Sequence, residues 1–202
     1  MRDLRSVFYI IGILLSIESI AMLVPMFVDL FYKNEDWIIF LFSSIFAFVI
    51  GLAFVFSFRK QKNNIRIREA FILTILSWII IAFFAAIPFI YSASNLHFTN
   101  ALFESISGIT TTGATVITNL DHLPEGILIW RSLLQWFGGI GIIVLALAIL
   151  PTLQIGGMQL LHMEHDDPYE KTIPKINQFV LEIILLYIFL TFFCSILYFL
   201  SG

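Results

Sequence analysis

The sequence predicts an all-α integral membrane protein: five transmembrane helices, plus one short re-entrant helix followed by a loop. Three observations lead there. Of the 202 residues, 59% are hydrophobic and only 12% are charged, with a mean hydropathy of +0.96. Five apolar stretches reach the roughly 20 residues that a spanning helix needs. Between the third and fourth lies a segment with helical periodicity that is too short to cross.

Composition excludes several classes at once. Ordinary globular chains are about 45–50% apolar and about 25% charged, so this one has half the usual surface charge. It also holds 22 Phe. A water-facing domain cannot be covered by so few charges, and a disordered one would not be so apolar. A net charge of −3 and a pI near 5.7 argue against nucleic acid as a partner and leave the lipid bilayer as the surroundings. Cys194, the single cysteine, lies inside an apolar run, so no intrachain disulfide is possible.

The five spans are read as residues 7–32, 37–58, 70–91, 130–150 and 176–200. Arg2 and Arg5 precede the first, as in a signal peptide. However, its apolar run exceeds the usual ~7–15 residues, contains Glu18 and lacks a small-x-small cleavage site, so it is read as an uncleaved span. Alternate loops hold Arg2 and Arg5, then the cluster from Arg59 to Arg68, then Lys171 and Lys175. The opposite loops hold only Lys33 and Arg131, and residues 92–130 have no Lys or Arg. The positive-inside rule then puts the N-terminus in the cytoplasm and residues 92–130 outside.

Residues 97–110 (HFTNALFESISGIT) place Phe98, Leu102, Ile106 and Ile109 at helical spacing, with Thr99 or Asn100 positioned to cap the start. At ~1.5 Å per residue this helix covers only about 20 Å, so it lies on the surface or dips in and returns. Thr110, Thr111, Thr112, Gly113, Ala114 and Thr115 follow. Small and hydroxyl side chains around a glycine permit unusual backbone angles and present carbonyls. The partially negative C-terminus of a short helix favours a cation there, and rings of carbonyls replace the hydration shell of potassium in selectivity filters. Trp130 and Arg131 then open the fourth span as an expected interface anchor pair. The order of span, short helix, Thr/Gly-rich strand and span is that of a potassium-channel pore unit.

The run FESISGITTTGAT from Phe103 to Thr115 resembles the TrkH-type potassium uptake subunits of bacteria, in the Trk/Ktr/HKT superfamily. So does the run WRSLLQWFGGIG from Trp130 to Gly141, continuing through Leu150 and Pro151. The resemblance covers essentially the whole chain. It implies a multi-pass potassium-translocating subunit of the bacterial cytoplasmic membrane, commonly dimeric. Four pseudo-repeats of helix, pore loop and helix would surround one pore, with a cytosolic nucleotide-binding regulatory subunit as partner. By it, Thr111, Thr112 and Gly113 supply one quarter of the filter. Potassium is bound at Thr111 and Thr112 as substrate, with no covalent cofactor. Glu104, Thr110 and Ala114 support the filter. Residues 1–69 are then two leading helices and a basic loop, 70–151 the first repeat, and 152–202 a connector and the first helix of a second repeat. The other three filter segments, a gating loop and a pore-lining arginine are absent from these 202 residues. They would come from a companion chain or from self-association.

Other residues have plainer readings. Glu104, mid-helix at membrane depth, is expected to accept backbone N–H groups behind the filter. Glu18 and Glu182 should face helix partners rather than lipid. Gly138, Gly139 and Gly141 permit close helix packing or a hinge, and without a preceding strand they make no dinucleotide site. The stretch from His162 to Asp167 is a charged connector whose spacing misses a metal motif. No catalytic pattern appears, so the chain is not read as an enzyme. The alternative to a transporter is a non-conducting membrane remnant, anchor or assembly protein.

Overall fold

The computed structural model describes residues 4–58, 67–149 and 169–201. It divides into two compact units, Met1–Gly139 and Ile140–Gly202. Among the described residues it is helical throughout, apart from loops and one short 3-10 turn at Leu120–His122. Five helices are long and apolar enough to cross a membrane: Arg5–Tyr32, Trp37–Phe58, Arg68–Tyr91, Glu125–Ile143 and Leu181–Ser201.

In the first unit the leading span comprises α1 (Arg5–Ala21) and α2 (Leu23–Tyr32). They part at Met22 because Pro25 has no N–H to give the carbonyl of Ala21 and its ring crowds that carbonyl. Lys33 ends α2 in the left-handed region at φ 60°, and Asn34 N–H donates to Asp29 O at 2.9 Å, so the last carbonyls are satisfied. The chain then enters α3 (Trp37–Phe58). Gly12 of α1 meets Gly51 of α3, and Ser44 Oγ donates to Ser19 O at 2.7 Å. Small residues bring two backbones this close where lipid provides no hydrophobic drive between helices. Glu18 is buried on α1, and neither of its oxygens has a hydrogen-bond partner among the described residues.

α4 (Ile67–Tyr91) contains Pro88 and returns toward the loop side. α5 (Phe98–Ile109) follows, about 18 Å long by its twelve residues and too short to span. Its N-cap is His97 with no side-chain bond, which corrects the expected cap at Thr99 or Asn100. Both of those residues lie inside the first turn. α6 (Glu125–Ile149) begins five residues earlier than the apolar run implied. The reason is local: Pro124 O accepts the N–H of Ile127 at 3.0 Å, so helical bonding starts before the hydrophobic stretch does. Met26, Phe40, Ala85, Phe89, Ala101 and Trp130 form one core joining α2 to α6, and Val7, Ile11, Leu15, Ala47 and Phe84 form a second among α1, α3 and α4.

In the second unit α7 (Tyr169–Ser201) exposes Phe192, Tyr198, Phe199 and Cys194, as well as Glu182. The residues from His162 to Asp167 lie outside the described residues.

The close α1–α3 approach generates a test. A Cβ at Gly12 would sit 2.7 Å from Gly51 O and 2.8 Å from Phe54 Cβ. Gly12→Leu should therefore destabilise the fold by about 1–3 kcal/mol, read as a lower melting temperature in detergent. Gly141→Ala, where nothing among the described residues lies within 4 Å, should leave the melting temperature unchanged or slightly raised.

Candidate functional site

The site is built on the C-terminal end of α5. A helix leaves its last carbonyls without intrahelical partners. Here the loop supplies them. Thr110 N–H donates to Ile106 O at 2.9 Å, Thr111 N–H to Gly108 O at 2.9 Å, and Thr112 and Gly113 N–H both to Ser107 O at 3.0 and 3.3 Å. Turning four successive amides toward the helix forces unusual angles. Thr111 has φ 60° and Gly113 has φ 74°. The second suits glycine, and the first is a sparsely populated conformation held by its surroundings.

The amides from Thr110 to Gly113 are thus committed to α5. Among the described residues nothing donates to the carbonyls of Thr111, Thr112 or Gly113, and all three residues are exposed. The carbonyl of Ala114 is different, because Ser107 Oγ donates to it at 2.6 Å. Thr110 Oγ1 donates to Ile106 O at 2.7 Å and lies 2.8 Å from Thr112 Oγ1. The result is a short segment with bare backbone oxygens beside a partially negative helix end, an arrangement suited to a cation.

Glu104 secures the extended segment leaving this loop. It is 2% exposed. Its Oε1 accepts the N–H groups of Val116 at 2.9 Å and Ile117 at 3.4 Å, and also the hydroxyl of Thr115. Its Oε2 pairs with Arg131 Nε at 3.3 Å. One carboxylate therefore joins the short helix, the segment after the loop and α6.

α6 also packs hard against the end of α5. A Cβ at Gly138 would overlap the carbonyl of Ile109 and lie 3.1 Å from Thr111 Cγ2, while a Cβ at Gly108 would lie 3.0 Å from Leu134 Cβ. Gly139 is half-buried and Gly141 is exposed. Trp130 and Arg131 are not an interface anchor pair. Trp130 is wholly buried, with its indole Nε1 donating to Ala85 O at 3.1 Å, and Arg131 faces Glu104. The same five-residue extension that starts α6 at Glu125 carries both side chains below the helix end.

Sequence reasoning missed Ser107, Thr115 and the role of Arg131. Arg131 could have been found, since it is the first cation after a long stretch without one and Glu104 is the acid nearest the loop. Ser107 has no such signal. It also passed over Asp29, an acid in an apolar span like Glu18, which proves to be wholly buried beside the start of α6. Among the described residues no group of three or more His, Cys, Asp or Glu could hold a metal ion.

The chain is therefore a polytopic helical membrane protein with a short helix and a carbonyl-bearing loop between two spans. The TrkH family, described as cation transport proteins, matches residues 38–201, and the chain belongs to that family, one of transporters rather than enzymes. It is 41% identical over 201 residues to the Trk system potassium uptake protein TrkH of Escherichia coli K12, covering 98% of this chain and 42% of that protein. It is 39% identical over 201 residues to the TrkG protein of the same organism, covering 98% of this chain and 41% of that one. The crystal structure of the potassium transporter TrkH from Vibrio parahaemolyticus superposes with a TM-score of 0.86 at 37% identity, covering all of this chain and 40% of that one. The chain thus spans about two fifths of the length of the relatives it matches.

Glu104 gives the sharpest test of this geometry. Glu104→Leu removes the acceptor for the Val116 N–H and strands Arg131, and should cost on the order of 3–5 kcal/mol by thermal denaturation. Glu104→Gln, which still offers an oxygen to the amides, should lose clearly less. Equal losses in the two variants would show that the amide bonds contribute nothing.

Proposed function

We propose that this chain contributes to potassium translocation across the bacterial cytoplasmic membrane, with Thr111, Thr112 and Gly113 as one quarter of a selectivity filter. The observation that supports this best is the loop after α5: its amides turn back to the helix while, among the described residues, the carbonyls of Thr111 to Gly113 have no partner. In this reading α5 is a re-entrant pore helix. Irregular backbone at membrane depth is tolerated only inside protein or against a watery cavity, and a filter is such a place. Residues 70–151 form the first repeat, residues 1–69 the leading helices, and residues 152–202 the entry to a second repeat. Glu104, Thr110 and Ala114 hold the filter segment. Gly138 packs against the end of α5, and Gly139 and Gly141 are positions where α6 can bend.

One filter segment cannot enclose an ion, so the pore needs three more, with the remaining repeats as partner. A cytosolic nucleotide-binding subunit regulates the assembly. The asymmetry of Lys and Arg puts the N-terminus inside and the loop after α5 outside.

Two experiments test this. In the assembly that includes the remaining repeats, Gly113→Ser should weaken the preference for potassium over sodium while expression persists, because a side chain opposes φ 74°. An unchanged preference would remove Gly113 from the filter. Residues 1–202 expressed alone, in cells lacking potassium uptake, should not restore growth at limiting potassium, and co-expression of the other repeats should. Failure of co-expression as well would favour a non-conducting anchor.

A further inference from the structure

The leading helices make one contact with the pore unit that has no obvious packing purpose. Asp29 of α2 is wholly buried, and its Oδ1 accepts the N–H of Gly126, the second residue of α6, at 2.8 Å. Its Oδ2 has no hydrogen-bond partner among the described residues. Asn34 Nδ2 ties the arrangement together, donating to Glu125 Oε2 at 2.7 Å and to Asp29 Oδ1 at 3.3 Å. The carboxylate lies so close over Gly126 that a Cβ there would overlap it. A side chain from another helix thus does the work of an N-cap, satisfying an orphan amide and opposing the positive end of the helix dipole.

Resting on the filter reading above, we propose that Asp29 is a positioning residue for ion discrimination: it fixes the axial height of α6 and so the shape of the filter. The coupling follows contacts already described. α6 meets the filter segment at two levels, through Arg131 on Glu104 and through Gly138 against Ile109 and Thr111. Glu104 in turn holds the amides of Val116 and Ile117. A helix that slides or tilts at its capped end moves both levels together. Packed interfaces of this kind pass such a shift on rather than absorbing it. The leading helix pair is then a brace for selectivity, and Asp29 with Asn34 is its point of attachment.

The test uses the complete transporting assembly reconstituted in liposomes, reading potassium and sodium uptake alongside melting temperature. Asp29→Ala and Gly126→Ala should each shift the potassium-over-sodium preference by at least about threefold. Asp29→Asn, which retains a capping oxygen, should stay near wild type, since Asn and Asp cap helices about equally well. Should Asp29→Ala fail to assemble, the contrast between Gly126→Ala and Asp29→Asn decides the matter in the same way. Lower melting temperature and slower uptake with unchanged preference would overturn the proposal and leave Asp29 a structural residue. Gly113→Ser is run beside them. A shift there without one at Asp29 or Gly126 defeats only the brace, while no shift at Gly113 defeats the filter reading itself.

Discussion

Backbone N–H and C=O groups at membrane depth must find partners inside the protein, because hydrocarbon offers none and each orphan costs several kcal/mol. A continuous helix solves this automatically. A short helix followed by a loop does not, and if α5 is re-entrant, as proposed above, much of the first unit is the remedy. Thr110 to Gly113 return their amides to the end of α5. Ser107 takes the carbonyl of Ala114, and Glu104 takes the amides beyond it. Among the described residues, what remains without a partner is the row of carbonyls at Thr111 to Gly113, the row proposed above to face a cation.

That remedy places demands elsewhere. Glu104 is a buried carboxylate, and a buried charge must be paired. Arg131, at the start of the apolar run of α6, supplies the pair. Gly138 lets the same helix approach the end of α5, where any side chain would strike the carbonyl of Ile109. Trp130 then fills the space beneath, stacking edge-on to Phe40 at 6.3 Å between centroids and bonding to α4. Each piece depends on the others being at the right height.

Much of this could be read before any coordinates. Spans announce themselves because the bilayer selects for about 20 apolar residues in a row, and that signal is local and additive. The short helix was legible for the same reason, from the spacing of Phe98, Leu102, Ile106 and Ile109. The extension of α6 back to Glu125 was not, since Pro124 and Glu125 read as loop until their backbone bonds are seen. Trp130 and Arg131 were misread because an aromatic–cation pair at the end of an apolar run has the same pattern whether it meets headgroups or a buried acid. Only the third dimension separates the two. Asp29 and Ser107 were missed because their partners lie at Gly126 and Ala114, one far along the chain and one across a turn that no periodicity describes.

In the proposed filter, the backbone oxygens after α5 coordinate the transported ion. The most direct measurement is a structure of the complete transporting assembly in rubidium or thallium, which stand in for potassium and give an anomalous signal. The expected result is a peak on the pore axis in contact with the carbonyls of Thr111 and Thr112. An ordered filter loop with no ion beside it, and bound ion elsewhere along the pore, would contradict it.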